Sequence, residues 1–256
     1  MKKIKLGDFS QLAKKYKNRP SYSNEILNEI LDEIKKPNKK IQAIDAGAGT
    51  GIFSRMLLKK VGNVIAVEPN SAMMKIGKSS STKKIKWIKA SSEKIPLKSN
   101  SFDLITMASS FHWVNFKKGI KEFNRLLKPG GAFVAIWNPR DIKGIKYLED
   151  IESYLYNLKP NMKRISSGNS LFTKNLKRKL IETNIFQKVK YFEKKHQINF
   201  SKKRYINAWR SVNDIQSKLG DENFQKFLNF VNKKIKNKKN IKANYLNRAW
   251  VGIKKL

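Results

Sequence analysis

Five short apolar runs, rich in β-branched residues, alternate with stretches of helical spacing, and this alternation limits what the chain can fold into. Ile41–Ala46, Val64–Glu68, Ile85–Ile88, Phe102–Met107 and Ala132–Trp137 read as strands, with turn signals at Lys98 to Ser101 and at Pro129-Gly130-Gly131. Strands alternating with helices predict an α/β chain with a doubly wound, mostly parallel sheet. Ahead of the first strand, residues 23–36 place Ile26, Leu27, Ile30, Leu31 and Ile34 on one helical face. Ser23 stands ready as N-cap and Pro37 just past the end, so this segment is a packing helix.

The junction between the first strand and the helix after it reads Ile44-Asp45-Ala46-Gly47-Ala48-Gly49-Thr50-Gly51. Glycines at 47, 49 and 51 permit positive φ and let a ligand approach the backbone without meeting a Cβ. Two ligands compete for such a loop: the pyrophosphate of a dinucleotide, or S-adenosylmethionine. The dinucleotide fingerprint is G-x-G-x-x-G, and here the third glycine comes one residue early. Asp45 would also set a carboxylate near a pyrophosphate, whereas the ammonium of a methionine moiety gains from that field. The cation-bearing ligand fits better. Glu68 follows Gly51 by 17 residues, room for one helix and a turn, and should emerge at the same sheet edge, where a carboxylate can accept both ribose hydroxyls.

Four blocks in order resemble the class I S-adenosylmethionine-dependent methyltransferases, in particular the small-molecule group typified by the type 11 methyltransferase domain and trans-aconitate methyltransferase. They are I-D-A-G-A-G-T-G at 44–51, A-V-E-P-N-S-A-M at 66–73, A-S-S-E-K-I-P-L-K-S-N-S-F-D-L-I at 90–105 and L-L-K-P-G-G-A-F at 126–133. Residues 9–22 look like that group's amino-terminal lid, and S-F-H-W at 110–113 like its segment after strand four. The resemblance implies a Rossmann-like fold with a seven-stranded sheet ending in an antiparallel hairpin, the extended runs 186–199 and 243–254. It implies that Asp45, Gly47, Gly49 and Gly51 hold the methionine end, that Glu68 holds the ribose, and that Ser91, Ser92 and Glu93 lie beside the adenine. Many relatives carry an acid where Ser91 stands. The polarizable sulfur of Met73 is a candidate for the adenine face.

The resulting layout has residues 1–37 as lid and packing helix, 38–140 as the cofactor-binding core, and 141–256 completing the sheet. Helices are expected at 145–158, 174–183, 203–218 and 222–235. A helical insert over about 201–240 would sit above the carboxyl edge of the sheet and shape the acceptor pocket, and Lys233 to Asn240 reads as a mobile charged loop.

At 256 residues the chain can bury a sizeable core. It has no cysteine, which excludes disulfides and thiolate chemistry, and only His112 and His196, so no metal is expected. No run approaches the roughly 20 apolar residues of a membrane span and no secretory h-region is evident, which predicts a cytoplasmic protein without a membrane partner. The formal net charge of +37 comes mostly from lysines spread along the whole chain. That pattern reads as solvated surface; it attracts acidic substrates, and it leaves nucleic acid as a less favoured partner.

Methyl transfer from a sulfonium is an in-line displacement with an activated leaving group, so the enzyme chiefly aligns the nucleophile and excludes water. A carboxylate acceptor needs no base. A hydroxyl or amine would benefit from one, and His112 is the candidate; alternatively His112 and Trp113 simply line a pocket. Tyr16 and Arg19, in the lid-like segment, could cover the sulfonium or grip a carboxylate. Trp113, Trp209 and Arg210 are candidates for the substrate side. The expected function is methyl transfer from S-adenosylmethionine, leaving S-adenosylhomocysteine, to a small-molecule carboxylate, hydroxyl or amine. The alternatives are an RNA- or ribosome-associated methyltransferase and a cofactor-binding module without catalysis.

Overall fold

The computed structural model describes residues 4–164, 168 and 170–256. A four-residue helix, α1 (Ala13–Tyr16), lies in the amino-terminal segment and is followed by α2 (Asn24–Asp32). Ser23 caps α2, its hydroxyl accepting the Glu25 N–H at 3.1 Å. Ile26, Leu27, Ile30 and Leu31 are buried as their spacing requires, each worth roughly 1.5–3 kcal/mol of burial. The helix ends at Asp32, short of the expected residue 36, in tight turns before Pro37.

The core then alternates strand and helix: β1 (Gln42–Ala46), α3 (Ile52–Lys60), β2 (Asn63–Val67), α4 (Ser71–Ser79), β3 (Ile85–Ile88), β4 (Phe102–Ala108), α5 (Phe116–Leu126) and β5 (Leu127–Trp137). All five strands pair in parallel, in the order β3-β2-β1-β4-β5. The sheet has its two faces covered. On β5, Phe133, Ala135 and Trp137 point into one core with α5, and Ala132, Val134 and Ile136 into the other with α2 and α3.

After β5 come β6 (Arg140–Asp141), α6 (Lys146–Leu158), α7 (Leu171–Lys174), α8 (Leu176–Glu182), β7 (Phe186–Phe200), α9 (Lys202–Trp209), α10 (Asn213–Ile235) and β8 (Ile241–Lys254). Strand β8 runs antiparallel to β5 and pairs along its other side with β7. This gives the expected doubly wound sheet with an antiparallel C-terminal hairpin. The sheet counts eight strands instead of seven, because Arg140 and Asp141 add two residues of pairing to β8 beyond the end of β5. Pairing of β8 with β5 stops at Arg248, so the hairpin continues past the carboxyl edge of the sheet and carries α9 and α10 there. A third core, with Tyr205, Trp209, Phe227 and Val231, packs this insert against α6 and the free half of β8.

Four local expectations are corrected. The turn signal at Pro129-Gly130-Gly131 is a bulge inside β5: Phe102 faces Leu127 and Leu104 faces Ala132. The helix expected at 203–218 breaks at 210–212, whereas the break expected ahead of residue 222 is present inside α10 as non-helical backbone at Gly220 (φ 73°, ψ 173°). The helix expected at 174–183 is α8, two residues shorter at its start, and the separate four-residue helix α7 precedes it. Of the charged segment 233–240, the first three residues are the last turn of α10.

Candidate active site

In the strand order, β1 lies between β2 and β4, so the chain leaves β1 and β4 toward opposite halves of the sheet. A crevice opens at that point, outside the carboxyl ends of the strands. Its floor is the loop after β1. Gly47, Gly49 and Gly51 have φ of 66°, 60° and 73°. A Cβ on Gly49 would lie 3.3 Å from Met73 Cε, and one on Gly47 would lie 2.8 Å from the Ser110 side chain. Gly47 and Gly49 line the crevice. Gly51 does not; it caps α3, and a Cβ there would meet Trp87 at 2.9 Å.

Glu68, at the end of β2, reaches across to this loop. One carboxylate oxygen accepts the Gly49 N–H at 2.7 Å and the other the Asn70 N–H at 2.9 Å. Burial raises its pKa, and the two N–H donors pull the other way. Glu68 lines the arm of the crevice that also contains Met73, Ser91, Ser92 and Glu93. The Ser91 hydroxyl accepts the Glu93 N–H, and the Glu93 carboxylate accepts the Asn115 N–H at 2.7 Å, which fixes this wall to the start of α5.

Asp45 lies beneath the loop and not among the crevice walls. Ser54 donates to one oxygen at 2.5 Å and Thr106 to the other at 2.9 Å. Burial pushes its carboxyl up to about 6, against the pull of those two hydroxyls. Its charge acts on the crevice through the loop.

The amino-terminal segment forms the roof. Tyr16 and Phe9 meet edge to face with ring centroids 5.9 Å apart, Phe9 and Trp113 do so at 5.8 Å, and all three line the crevice. Asn213, the first residue of α10, holds this roof in place. Its side chain accepts the Gly7 N–H at 2.8 Å and donates to the carbonyls of Lys5 and Asp8.

His112 is also set back from the crevice. Its Nδ1 accepts the indole N–H of Trp137 at 3.3 Å, Nε2 is buried without a partner, and burial pushes the imidazole down to about 4. Its neighbour Trp113 is the residue of this pair on the wall.

A second hollow adjoins the crevice and shares Arg19, Pro20 and Asn138 with it. Trp209 lines this hollow, whereas Arg210 is exposed at the end of α9 and does not. Sequence reasoning missed the charged residues that do: Arg140, Glu152 and Arg164. Glu152 receives Arg140 at 2.8 Å and Arg164 at 3.0 Å, and Arg164 also donates to Asp214 at 3.0 Å. Arg140 lies over the Trp209 ring, 3.6 Å from its centroid. A usable signal existed for Arg140 alone: it closely follows a core strand at the sheet's carboxyl edge. Among the described residues no group of three His, Asp or Glu is placed to hold a metal ion, and no helix is long and apolar enough to cross a membrane.

Residues 44–135 match a family model described as a methyltransferase domain. The chain is 31% identical over 181 residues to the ubiquinone/menaquinone biosynthesis C-methyltransferase of Rickettsia prowazekii, covering 63% of this chain and 71% of that one. The chain belongs to the class I S-adenosylmethionine-dependent methyltransferases. An uncharacterized methyltransferase of Mycobacterium tuberculosis is 33% identical over 125 residues, 49% of each chain, so this methyltransferase spans about half the length of the first curated relatives it matches. A solved structure from Anaeromyxobacter dehalogenans, provisionally named a type II methyltransferase, superposes with a TM-score of 0.69 at 16% identity, covering 92% of this chain and 97% of that one. That likeness carries the methyltransferase fold through the insert and the terminal hairpin.

Proposed function

We propose that this chain transfers a methyl group from S-adenosylmethionine to a small-molecule acceptor by in-line displacement. The observation that carries the reading is the adjacency of two spaces: a glycine-floored crevice closed by Glu68, and a separate hollow under the insert that shares Arg19, Pro20 and Asn138 with it. A crevice without the hollow would suit a binding module; a donor site adjoining an acceptor-sized space suits transfer.

The crevice residues fit the cofactor. The approach over Gly49 is one that a Cβ would obstruct, and the lone pairs of Glu68 not taken by Gly49 and Asn70 are available to two ribose hydroxyls. Met73, Ser91 and Ser92 offer an apolar face and hydroxyl acceptors to the adenine. The loop amides and the field of Asp45 suit the amino-acid end, and the rings of Tyr16, Phe9 and Trp113 suit a sulfonium. When bound, the cofactor supplies an electrophilic methyl on a good leaving group.

The protein's part is alignment and exclusion of water. The roof clasped by Asn213 covers the crevice, Arg19 and Asn138 line both it and the hollow, and the Tyr22 hydroxyl, which pairs with Ser109 Oγ at 2.8 Å, lies on the crevice side. No general base is required for an ionised acceptor.

The test is incubation of the protein with S-adenosylmethionine carrying a tritiated methyl group and a small-molecule metabolite extract. Label should pass to a small molecule with stoichiometric S-adenosylhomocysteine. Label appearing only in added RNA would favour the nucleic-acid alternative, and no transfer at all by protein that binds the cofactor would favour a binding module.

A further inference from the structure

We propose that the acceptor is a small organic acid with a single carboxylate, held where the hollow meets the crevice by Arg19, with Arg140 and Trp209 forming the wall behind it. This inference deepens the methyl-transfer reading above and rests on it.

Of the described charged side chains that line the hollow, Arg19 alone stands outside its ion-pair network; Arg204, which donates to the Arg19 carbonyl at 3.4 Å, packs on Phe200 and is not part of the lining. Arg140 and Arg164 share Glu152, and Arg164 also reaches Asp214, so two guanidinium groups are set against two carboxylates. Arg19 takes part in none of the ion pairs among the described residues. Its guanidinium lies over the Tyr16 ring, 5.2 Å from the centroid, and its Nε is buried with no hydrogen-bond partner. A buried N–H of a charged group with nothing to donate to is costly, and an incoming oxyanion removes that cost. Because Arg19 lines both spaces, an anion on it lies at the boundary with the donor crevice.

The size of the charge selects the anion. The one lining cation outside the network among the described residues matches a carboxylate, which carries one negative charge at neutral pH. A phosphate monoester carries about −1.5 to −2 and would leave charge unmatched by the lining in a half-buried place. The rest of the hollow suits the organic body of such an acid. Trp209, Tyr205 and Tyr245 line it, and Arg140 lies over Trp209 while Glu152 holds its Nη1. A guanidinium held between a ring and a carboxylate in this way loses little freedom when it meets a second acceptor.

The experiment divides a metabolite extract on an anion-exchange resin and offers each fraction to the whole protein with tritiated S-adenosylmethionine. Label should come from the retained, anionic fraction. Prior esterification of that fraction should abolish uptake, and phosphatase treatment should leave it unchanged. Arg19→Gln should raise the acceptor KM about tenfold or more, with Arg19→Lys falling between, while calorimetry shows cofactor affinity changed far less. Uptake from the unretained fraction would overturn the carboxylate and leave methyl transfer standing. Loss of uptake with phosphatase would overturn it in favour of a phosphate. An unchanged KM in Arg19→Gln would overturn the role of Arg19, and no uptake from any fraction would overturn the methyl-transfer reading together with this one.

Discussion

Glu68 accepts the backbone N–H of Gly49 at 2.7 Å, so a carboxylate from the end of β2 pins the tip of the loop that follows β1. The same carboxylate takes the Asn70 N–H and thereby also fixes the start of α4. One side chain thus shapes the loop and, in the proposed function, also presents an acceptor to the sugar. Glu68→Ala removes both, and the account predicts a loss of S-adenosylmethionine affinity of about 10- to 100-fold by calorimetry. Glu68→Gln, which keeps one acceptor oxygen, should fall between.

Gly49 combines φ of 60° with a Cβ position 3.3 Å from Met73 Cε. Gly49→Val therefore adds about 1–2 kcal/mol of backbone strain and places a branched side chain on the crevice floor. Gly144→Ala is the control, because Gly144 also has a positive φ, 80°, but nothing lies within 4 Å of its Cβ position. Both variants should lose a similar small amount of stability in denaturant titrations. Only Gly49→Val should lose cofactor binding.

Burial holds the Asp45 carboxyl at about 6, above its ordinary value of 3.8. The folded state therefore binds this proton more tightly than the unfolded state. Its stabilising contribution is complete below about pH 4 and is lost as the pH rises to about 6. Asp45→Asn cannot titrate. Its stability relative to the parent should rise by on the order of 2 kcal/mol between pH 4 and pH 7.5, measured by denaturant unfolding. A difference that stays flat over that window would contradict the burial of a charge at this position.

His112 has an imidazole pushed down to about 4 and is set back from the crevice walls, with Trp137 donating to its Nδ1. His112→Gln retains an acceptor for that indole, and kcat should fall by less than about tenfold, where loss of a general base costs about 10²–10⁴. His112→Leu leaves the indole N–H without its acceptor, and should cost about 1–3 kcal/mol of stability with little further loss of kcat.

The core was legible in the sequence because its signals are local. Ser23 ahead of Ile26 and Leu27 announces a capped amphipathic helix, the β-branched runs announce strands buried on both faces, and three closely spaced glycines mark a loop that takes positive φ at alternate residues. The placement of Asp45 was not legible. Adjacency to the loop suggests contact with the ligand, but the alternation of β1 turns its side chain toward Ser54 and Thr106. The hollow was legible least of all. Arg19, Arg140, Glu152, Arg164 and Asp214 are scattered over nearly 200 positions and meet only because the β7–β8 hairpin carries the insert back over the sheet edge. Trp209 was recognisable as an aromatic in that insert; Arg210 beside it is exposed because successive helical residues face different directions.

The most direct measurement is calorimetric titration of the folded protein with S-adenosylmethionine, repeated with S-adenosylhomocysteine as competitor and with NADH. The account predicts saturable binding of one S-adenosylmethionine per chain, displaced by S-adenosylhomocysteine, indifferent to NADH and abolished by Gly49→Val. Folded protein that takes up no S-adenosylmethionine, or that binds NADH in its place, would contradict it.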